Sequence, residues 1–260
     1  MSLKGKTAVV TGSTSGIGLA IALAVAKDGC NIVVNGLGTE QDNAKAIAEV
    51  KKLGTRVSFD PANMLRHNQI ADMIAKAERD FGSVDILVNN AGIQHVAPIE
   101  DFPDEKWDEI LALNLSATFH AIKAVVPAMK QRGWGRIINI ASAHSLVASP
   151  MKSAYVSAKH GLLGLTRTVA LEVAEHGVTV NALCPGYVLT PLVQKQVDAR
   201  AQTEGVDDAE SKRRLLAEKQ PSLQFTTPEQ LGELAIFMCS PAADNVRGVA
   251  WAVDGGWTAQ

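Results

Sequence analysis

Tyr155 and Lys159 lie four residues apart in Ser153-Ala-Tyr-Val-Ser-Ala-Lys-His160, a stretch with no helix breaker, so both side chains share one helical face. Such a pair can move a proton. Free tyrosine, with a pKa of about 10, is a poor base at neutral pH, and a nearby ammonium favours the phenolate, each unit of lowering being worth roughly 1.4 kcal/mol. Taken alone, the same spacing also describes a helix that packs its tyrosine and lets its lysine snorkel to solvent. The chemistry therefore depends on what the rest of the chain brings to the pair.

The elements that must position it begin at the N-terminus. Thr7-Ala-Val-Val10 reads as a short buried strand, followed by Thr11-Gly-Ser-Thr-Ser-Gly-Ile-Gly18 and a helical run from Leu19 to Asp28. Glycines allow a tight turn and close backbone approach to a pyrophosphate, while free amide N–H groups and the helix dipole favour the anion. The spacing Gly12-x-x-x-Gly16-x-Gly18 departs from the common Gly-x-Gly-x-x-Gly fingerprint.

Apolar strands alternate with amphipathic helices along the whole chain. Strands are expected at 7–10, 31–34, 56–59, 84–88, 136–140, 179–183 and 249–253. Helices are expected at 39–53, 67–81, around 111–129, at 155–175 and at 228–239. This rhythm predicts an α/β fold, a single Rossmann-like domain over 1–260 with a doubly wound, parallel seven-stranded sheet and helices on both faces. A charged excursion over 187–225 breaks the rhythm and predicts a helical lid. In such sheets ligands bind beyond the carboxyl ends of the strands, so 12–18, 90–94, 142–144 and 185–190 are expected to converge.

At 260 residues and 47% apolar content the chain suits one large folded domain. Its formal charge of −2 provides no broad cationic field for nucleic acid or an anionic membrane. Neither a signal-peptide core nor an apolar run long enough to span a bilayer is expected. The three isolated thiols, Cys30, Cys184 and Cys239, suit a reducing compartment, which points to the cytoplasm. The six histidines include no His-Glu-x-x-His or similar ligand pattern, so no catalytic metal is expected.

Val84-Asp-Ile-Leu-Val88 leads into Asn89-Asn-Ala-Gly92, Ile137-Ile-Asn-Ile-Ala-Ser142 ends a strand in a serine, and Tyr155, Lys159 and Pro185-Gly186 follow. With these motifs in this order, the chain resembles the short-chain dehydrogenase/reductase family over essentially its whole length. That resemblance implies a nicotinamide cofactor and a general acid/base at Tyr155. Lys159 is then expected to lower the Tyr155 pKa and hold the nicotinamide ribose, Ser142 to hydrogen-bond the reacting oxygen, and Asn114 to hold a water on a relay to Lys159. Alone, Ser142 is an ordinary strand-end hydroxyl and Asn114 a distortion in a helix.

Around the dinucleotide the resemblance places Gly12, Thr14, Ser15, Gly16, Ile17 and Gly18 of the first turn, and Asn35, Gly36 and Leu37 after the second strand. Ala62, Asn63 and Met64 are expected beside the adenine, with Asn90, Ala91, Gly92, Leu113, Tyr155, Lys159, Pro185, Gly186, Val188 and Thr190 completing the site. NAD-preferring relatives often carry an acid at the place of Asn35, whose amide can hydrogen-bond a ribose but does not repel a 2′-phosphate. No Lys or Arg stands in 11–18 or 35–40, so that phosphate lacks a local counter-charge, and NAD is the expected cofactor.

The strings around Gln94-His95, His144, Lys152, 218–225 and 253–257 resemble the branch of the family that oxidises (R)-3-hydroxybutyrate to acetoacetate. This narrower resemblance places Gln94, His144, Lys152 and Gln196 around the substrate carboxylate, with Lys152 and a protonated His144 supplying charge. Ser142 and Tyr155 meet the reacting oxygen, and Tyr187 and Trp257 wall off the methyl end. Tryptophan is usual in that branch at the place of Tyr187, which implies a wider and more polar pocket here. The family also implies a homotetramer with the helices at 111–129 and 155–175 as interface surfaces. Some members hold a structural cation near the chain end, here Gln260, although a free terminus is the simpler expectation. Two alternatives stay open, an NADPH-dependent 3-oxoacyl-carrier-protein reductase and a non-catalytic nucleotide sensor.

Overall fold

Four strands are buried along their entire length: β1 (Thr7–Val10), β4 (Ile86–Asn89), β5 (Gly135–Ile140) and β6 (Val178–Pro185). A strand with no polar face must be covered on both sides, which a parallel sheet with helical crossovers achieves. The computed structural model describes residues 2–259. It contains one parallel seven-stranded sheet in the order β3-β2-β1-β4-β5-β6-β7, where β2 is Asn31–Asn35, β3 Val57–Asp60 and β7 Ala250–Val253. The α/β expectation holds, with strand ends shifted by one or two residues.

One face of the sheet is covered by α1 (Gly16–Lys27), α2 (Glu40–Lys51) and α9 (Pro228–Cys239), through Ile21, Val25, Val50, Leu231 and Met238. The other is covered by α3 (His67–Phe81), α5 (Ala117–Arg132) and α6 (Ser153–Glu172), through Ile70, Ile74, Ile122, Val125 and Val169. Cys30, Cys184 and Cys239 are buried free thiols.

Two sequence expectations need correction. The helix expected around 111–129 starts earlier, as α4 (Asp104–Leu111), and passes through a π-helical turn (Ala112–Ser116) before α5. Asn114 sits in that turn, its Oδ1 accepting the Ile93 N–H at 2.9 Å and its Nδ2 donating to the Ile93 carbonyl at 2.8 Å. Pairing a side chain with a neighbouring loop gives the widened turn a partner outside the helix. The whole run Asp104–Arg132 is also long and apolar enough, by length and composition, to cross a bilayer, contrary to expectation. Ile110, Ala117, Ala121, Ile122, Val125 and Met129 nevertheless bury one side of it within the fold, and a core helix has the same composition.

Over 187–225 the chain forms α7 (Pro191–Glu204) and α8 (Asp208–Ala217). The buried Ser211 hydroxyl donates to the Val197 carbonyl at 2.7 Å, and Arg214 reaches Glu204 at 2.8 Å, so the two helices hold each other. Gln260, where some family members hold a structural cation, is outside the described residues.

A buried polar chain links two central strands to α6. Asn89 Nδ2 donates to Asn139 Oδ1 at 2.8 Å, Asn139 Nδ2 to Thr166 Oγ1 at 2.9 Å, and Thr166 Oγ1 to the Leu162 carbonyl at 2.7 Å. Thr166→Val is expected to leave the Asn139 amide without its acceptor and to destabilise the fold by about 1–3 kcal/mol. Urea denaturation checks this; an unchanged midpoint would show that the chain contributes nothing.

Candidate active site

The first turn is built around two glycines without room for side chains. Gly12 has φ +62°, and a Cβ there would lie 3.0 Å from Ala91 Cα; one on Gly18 would lie 2.5 Å from both Asn90 Nδ2 and the Gly12 carbonyl oxygen. The Asn90 amide fills this space, donating to the Thr11 and Gly12 carbonyls at 2.9 and 3.0 Å. Ser15 precedes α1 without a side-chain capping hydrogen bond, and the first turn of the helix carries no acid. Its free N–H groups and positive dipole end therefore suit an anion, as a pyrophosphate requires.

The strand ends converge on one cavity of about 610 Å³. Every residue assigned to substrate lines it: Gln94, Ser142, His144, Lys152, Tyr155, Tyr187, Gln196 and Trp257. So do Gly12, Ser15, Gly16, Ile17, Asn35, Gly36, Leu37, Ala62, Asn63 and Met64, and beyond them Asn90, Ala91, Gly92, Leu113, Lys159, Pro185, Gly186, Val188 and Thr190. Thr14, Gly18 and Asn114 do not line the cavity. Gly18 packs against the Gly12 backbone, and Thr14 lies under Gly36, where a Cβ would meet its side chain at 2.7 Å. They support the wall rather than form it. Ile93, Ile140 and Ala141, which lie within the quoted segments, also line the cavity, as do Glu109 and Val193, which no motif signals.

Asn35 is not available to a ribose as expected. It is 1% exposed, accepts the Gly12 N–H on Oδ1 at 3.2 Å and donates through Nδ2 to the Asp60 and Ala62 carbonyls at 3.1 and 2.9 Å. An amide can serve N–H and carbonyl partners together, whereas a carboxylate would repel the two carbonyls. Asn35 thus ties the glycine turn to the ends of β2 and β3.

At the other end, the Ser142 hydroxyl accepts the His144 N–H at 3.1 Å, capping the short turn Ala143–Ser145, and lines the cavity with Tyr155. Lys159, 5% exposed, donates from Nζ to the Ile140 carbonyl at 2.7 Å and lies 5.6 Å from the Tyr155 ring centroid. Burial lowers the Lys159 pKa to about 8. The expected lowering of the Tyr155 pKa is not found. Burial raises it, opposed by the Ser142 hydroxyl, because the ammonium is directed to a backbone carbonyl and is itself weakened.

His144 also departs from its expected protonated state. It is 4% exposed, with Lys152 Nζ 3.4 Å from Nε2, and burial reinforced by Lys152 lowers its pKa to about 4. A charged Lys152 only donates, so Nε2 accepts and the proton of the neutral ring belongs on Nδ1; a backbone contact with Val147 opposes the lowering. The ring meets Trp257 edge-on with centroids 4.9 Å apart, and Tyr187 stacks on the same indole at 5.4 Å. Among the described residues, no three His, Cys, Asp or Glu side chains are grouped to hold a metal ion.

The family model for short chain dehydrogenases matches residues 6–201. The chain belongs to the short-chain dehydrogenase family. Its similarity to the D-beta-hydroxybutyrate dehydrogenase of Cupriavidus necator is 60% identity over 99% of this chain and 100% of the relative. For the D-beta-hydroxybutyrate dehydrogenase of Rhizobium meliloti the figures are 56%, 98% and 99%. A solved structure assigned as a short-chain alcohol dehydrogenase of Sinorhizobium meliloti 1021 superposes with a TM-score of 0.90 at 34% identity, covering 100% of this chain and 98% of that one. As a member of the family, this dehydrogenase uses a nicotinamide cofactor, and the uncapped α1 terminus with its glycine cradle fits one.

The His144 shift has a defined sign. Its folded-state pKa of about 4 lies below the ordinary 6.5, so on acidification the unfolded chain takes the proton first and stability falls between about pH 6.5 and 4. Above that window His144 contributes no pH dependence. His144→Asn is expected to flatten this acid limb when urea midpoints are compared at pH 7 and 4.5; an unaltered slope would place the loss elsewhere.

Proposed function

We propose that the protein oxidises (R)-3-hydroxybutyrate to acetoacetate with NAD, reversibly. The observation that carries this reading is that Gln94, His144, Lys152 and Gln196 line the same cavity as Ser142 and Tyr155, in a chain 60% identical to a D-beta-hydroxybutyrate dehydrogenase. Lys152 and the two glutamine amides hold the substrate carboxylate, beside a neutral His144. Tyr187 and Trp257 enclose the methyl end.

Bound NAD supplies the hydride acceptor at C3 of the substrate. Tyr155 takes the hydroxyl proton as the phenolate, and returns it from the phenol in the reverse direction. Ser142 hydrogen-bonds the same oxygen and favours the Tyr155 phenolate. Lys159, held by Ile140, reaches the ribose and stabilises the anionic tyrosine once the proton has moved. Asn114 holds the loop at Ile93, through which a water relay to Lys159 would run.

NAD is favoured over NADP because, among the described residues, the lysines that line the cavity are Lys152 and Lys159, both at its chemical end, and no arginine lines it. The adenosine end, at Gly36 and Leu37, offers a 2′-phosphate no cation from that wall. The same reading includes a lid formed by 187–225 and a cytoplasmic homotetramer. For the tetramer, the exposed Phe119 of α5 and Leu171 of α6 provide apolar contact surface.

Mixing the protein with (R)-3-hydroxybutyrate and either NAD or NADP, and following absorbance of the reduced cofactor, tests substrate and cofactor together. Turnover with NAD that Tyr155→Phe abolishes, with NAD binding retained, is the expected result. Preference for NADP, or full activity in folded Tyr155→Phe, would defeat the corresponding part of the reading.

Lys152→Ala is expected to raise KM for 3-hydroxybutyrate and lower kcat, since the carboxylate contact also orients C3. Loss of one charge-assisted contact corresponds to roughly tenfold or more in kcat/KM. A neutral alcohol of comparable size is the control. Equal losses on both substrates would mean that Lys152 supports the Tyr155 loop instead.

A further inference from the structure

Gln220 follows α8 at the end of the 187–225 segment, yet it is only 1% exposed. Both ends of its amide are used. Oε1 accepts the Tyr187 N–H at 2.9 Å, and Nε2 donates to the Gln224 carbonyl. Its own backbone N–H donates to Leu216 at 2.7 Å, and its carbonyl accepts from Leu223 at 2.9 Å. Leu223 has φ +53°, a left-handed conformation costly for a branched side chain, so the turn after Gln220 is held closed against strain.

Two glycine backbones make room for this side chain. A Cβ on Gly186, just before Tyr187, would lie 2.5 Å from Gln220 Oε1, and one on Gly255 would lie 2.6 Å from Gln220 Cγ. The amide is therefore clamped between the exit of β6 and the turn that leads to Trp257. Asp254 secures the far side of that turn, accepting from the Gly256 and Thr258 N–H groups at 3.1 and 2.9 Å. The Gly186 N–H donates to Val253 at 3.0 Å, joining the two backbones directly. Tyr187 and Trp257, which stack on one another, thus approach the cavity from segments that share a single buried amide.

We propose that Gln220 is a positioning residue that sets the Tyr187 and Trp257 wall of the substrate cavity and ties it to the end of α8. This rests on the reading of that wall as the end that encloses the methyl group. Only a side chain of this length with one acceptor and one donor serves both partners. A leucine leaves the Tyr187 N–H and the Gln224 carbonyl unpaired, and a glutamate carboxylate keeps the acceptor but turns a charge on the carbonyl. The glycine turn and α1, at the opposite end of the cavity, are not in this set of contacts.

The test compares wild type, Gln220→Leu and Gln220→Glu in three measurements. The first is kcat and KM for (R)-3-hydroxybutyrate and for (R)-3-hydroxypentanoate, one carbon longer. The second is NADH affinity, and the third is amide hydrogen exchange over 185–189 and 254–258. Both variants are expected to lower kcat/KM for 3-hydroxybutyrate, chiefly through KM, Gln220→Glu by about tenfold as loss of one buried hydrogen bond implies and Gln220→Leu, which loses two, by at least as much. Discrimination between the two acids is expected to narrow, exchange over both peptides to quicken, and NADH affinity to hold within about twofold. Unchanged KM and discrimination in a folded variant would overturn the proposal, as would a loss shared by NADH binding and by exchange throughout the sheet. If Gln220→Leu does not fold, Gln220→Glu, of nearly equal volume, decides. If wild type oxidises neither acid, the proposed substrate fails on its own, and exchange over the two peptides still decides whether Gln220 holds the wall.

Discussion

A lysine ammonium inside a protein must be given a partner, and the one on Lys159 has the carbonyl of Ile140 at 2.7 Å. Ile140 is the last residue of β5, so this bond fixes the rotation of α6 against the sheet at the point where the strand opens into the cavity. Two helical turns further on, Thr166 meets Asn139 on the same strand. With two polar contacts on one helical face, α6 cannot slide or turn by a residue without leaving buried groups unpaired. Tyr155 shares that face, which is how a side chain on a long helix is held beside Ser142 on a different element.

The opposite end of the cavity is organised by neutral amides rather than by charge. Asn35 joins β2, β3 and the first turn, while Asn90 joins the exit of β4 to the same turn. Thr11 completes the set, its Oγ1 accepting the Asn90 and Ala91 N–H groups at 3.0 and 3.1 Å. These contacts hold the backbone of the glycine turn in place while leaving the first N–H groups of α1 without side-chain partners. A dinucleotide thus meets a preformed anion site, and little ordering of the turn is required on binding.

Period and motif were readable in the sequence wherever a residue's role follows from its neighbours in the chain. Buried strands, the glycine turn and the Tyr155–Lys159 spacing are of that kind. The misreadings came from contacts between distant segments. Asn35 looked free for a ribose because Asp60 and Ala62 are far away in sequence, and the starting point of α4 was hidden by the π-helical turn that Ile93 supports. Protonation states depend on contacts of the same kind. Sequence supplies the identity of a charge but not its burial, and burial outweighs proximity at both Tyr155 and His144. Gln220 carried no motif at all, since its significance lies in two glycines on either side of it in space.

Those protonation states bear on how the proposed reaction divides binding from chemistry. Substrate and product both carry a carboxylate, so Lys152, Gln94 and Gln196 would hold each of them alike, and that contact would lower the barrier only through the orientation it gives C3. The differential interaction must lie at the oxygen on C3, where a proton is shared between substrate and Tyr155. Burial leaves the phenol and a weakened Lys159 ammonium side by side, a pair whose total charge rather than either separate pKa sets the cost of forming the phenolate. Ser142 is the hydroxyl within the protein that favours the anionic tyrosine, and its own position follows from the N–H of His144, which it caps. In the proposed reaction the carboxylate clamp and the proton-transfer site would therefore meet at one residue: His144 accepts from Lys152 on its ring and donates to Ser142 from its backbone, so that holding the acid and placing the proton acceptor would both depend on the same short turn.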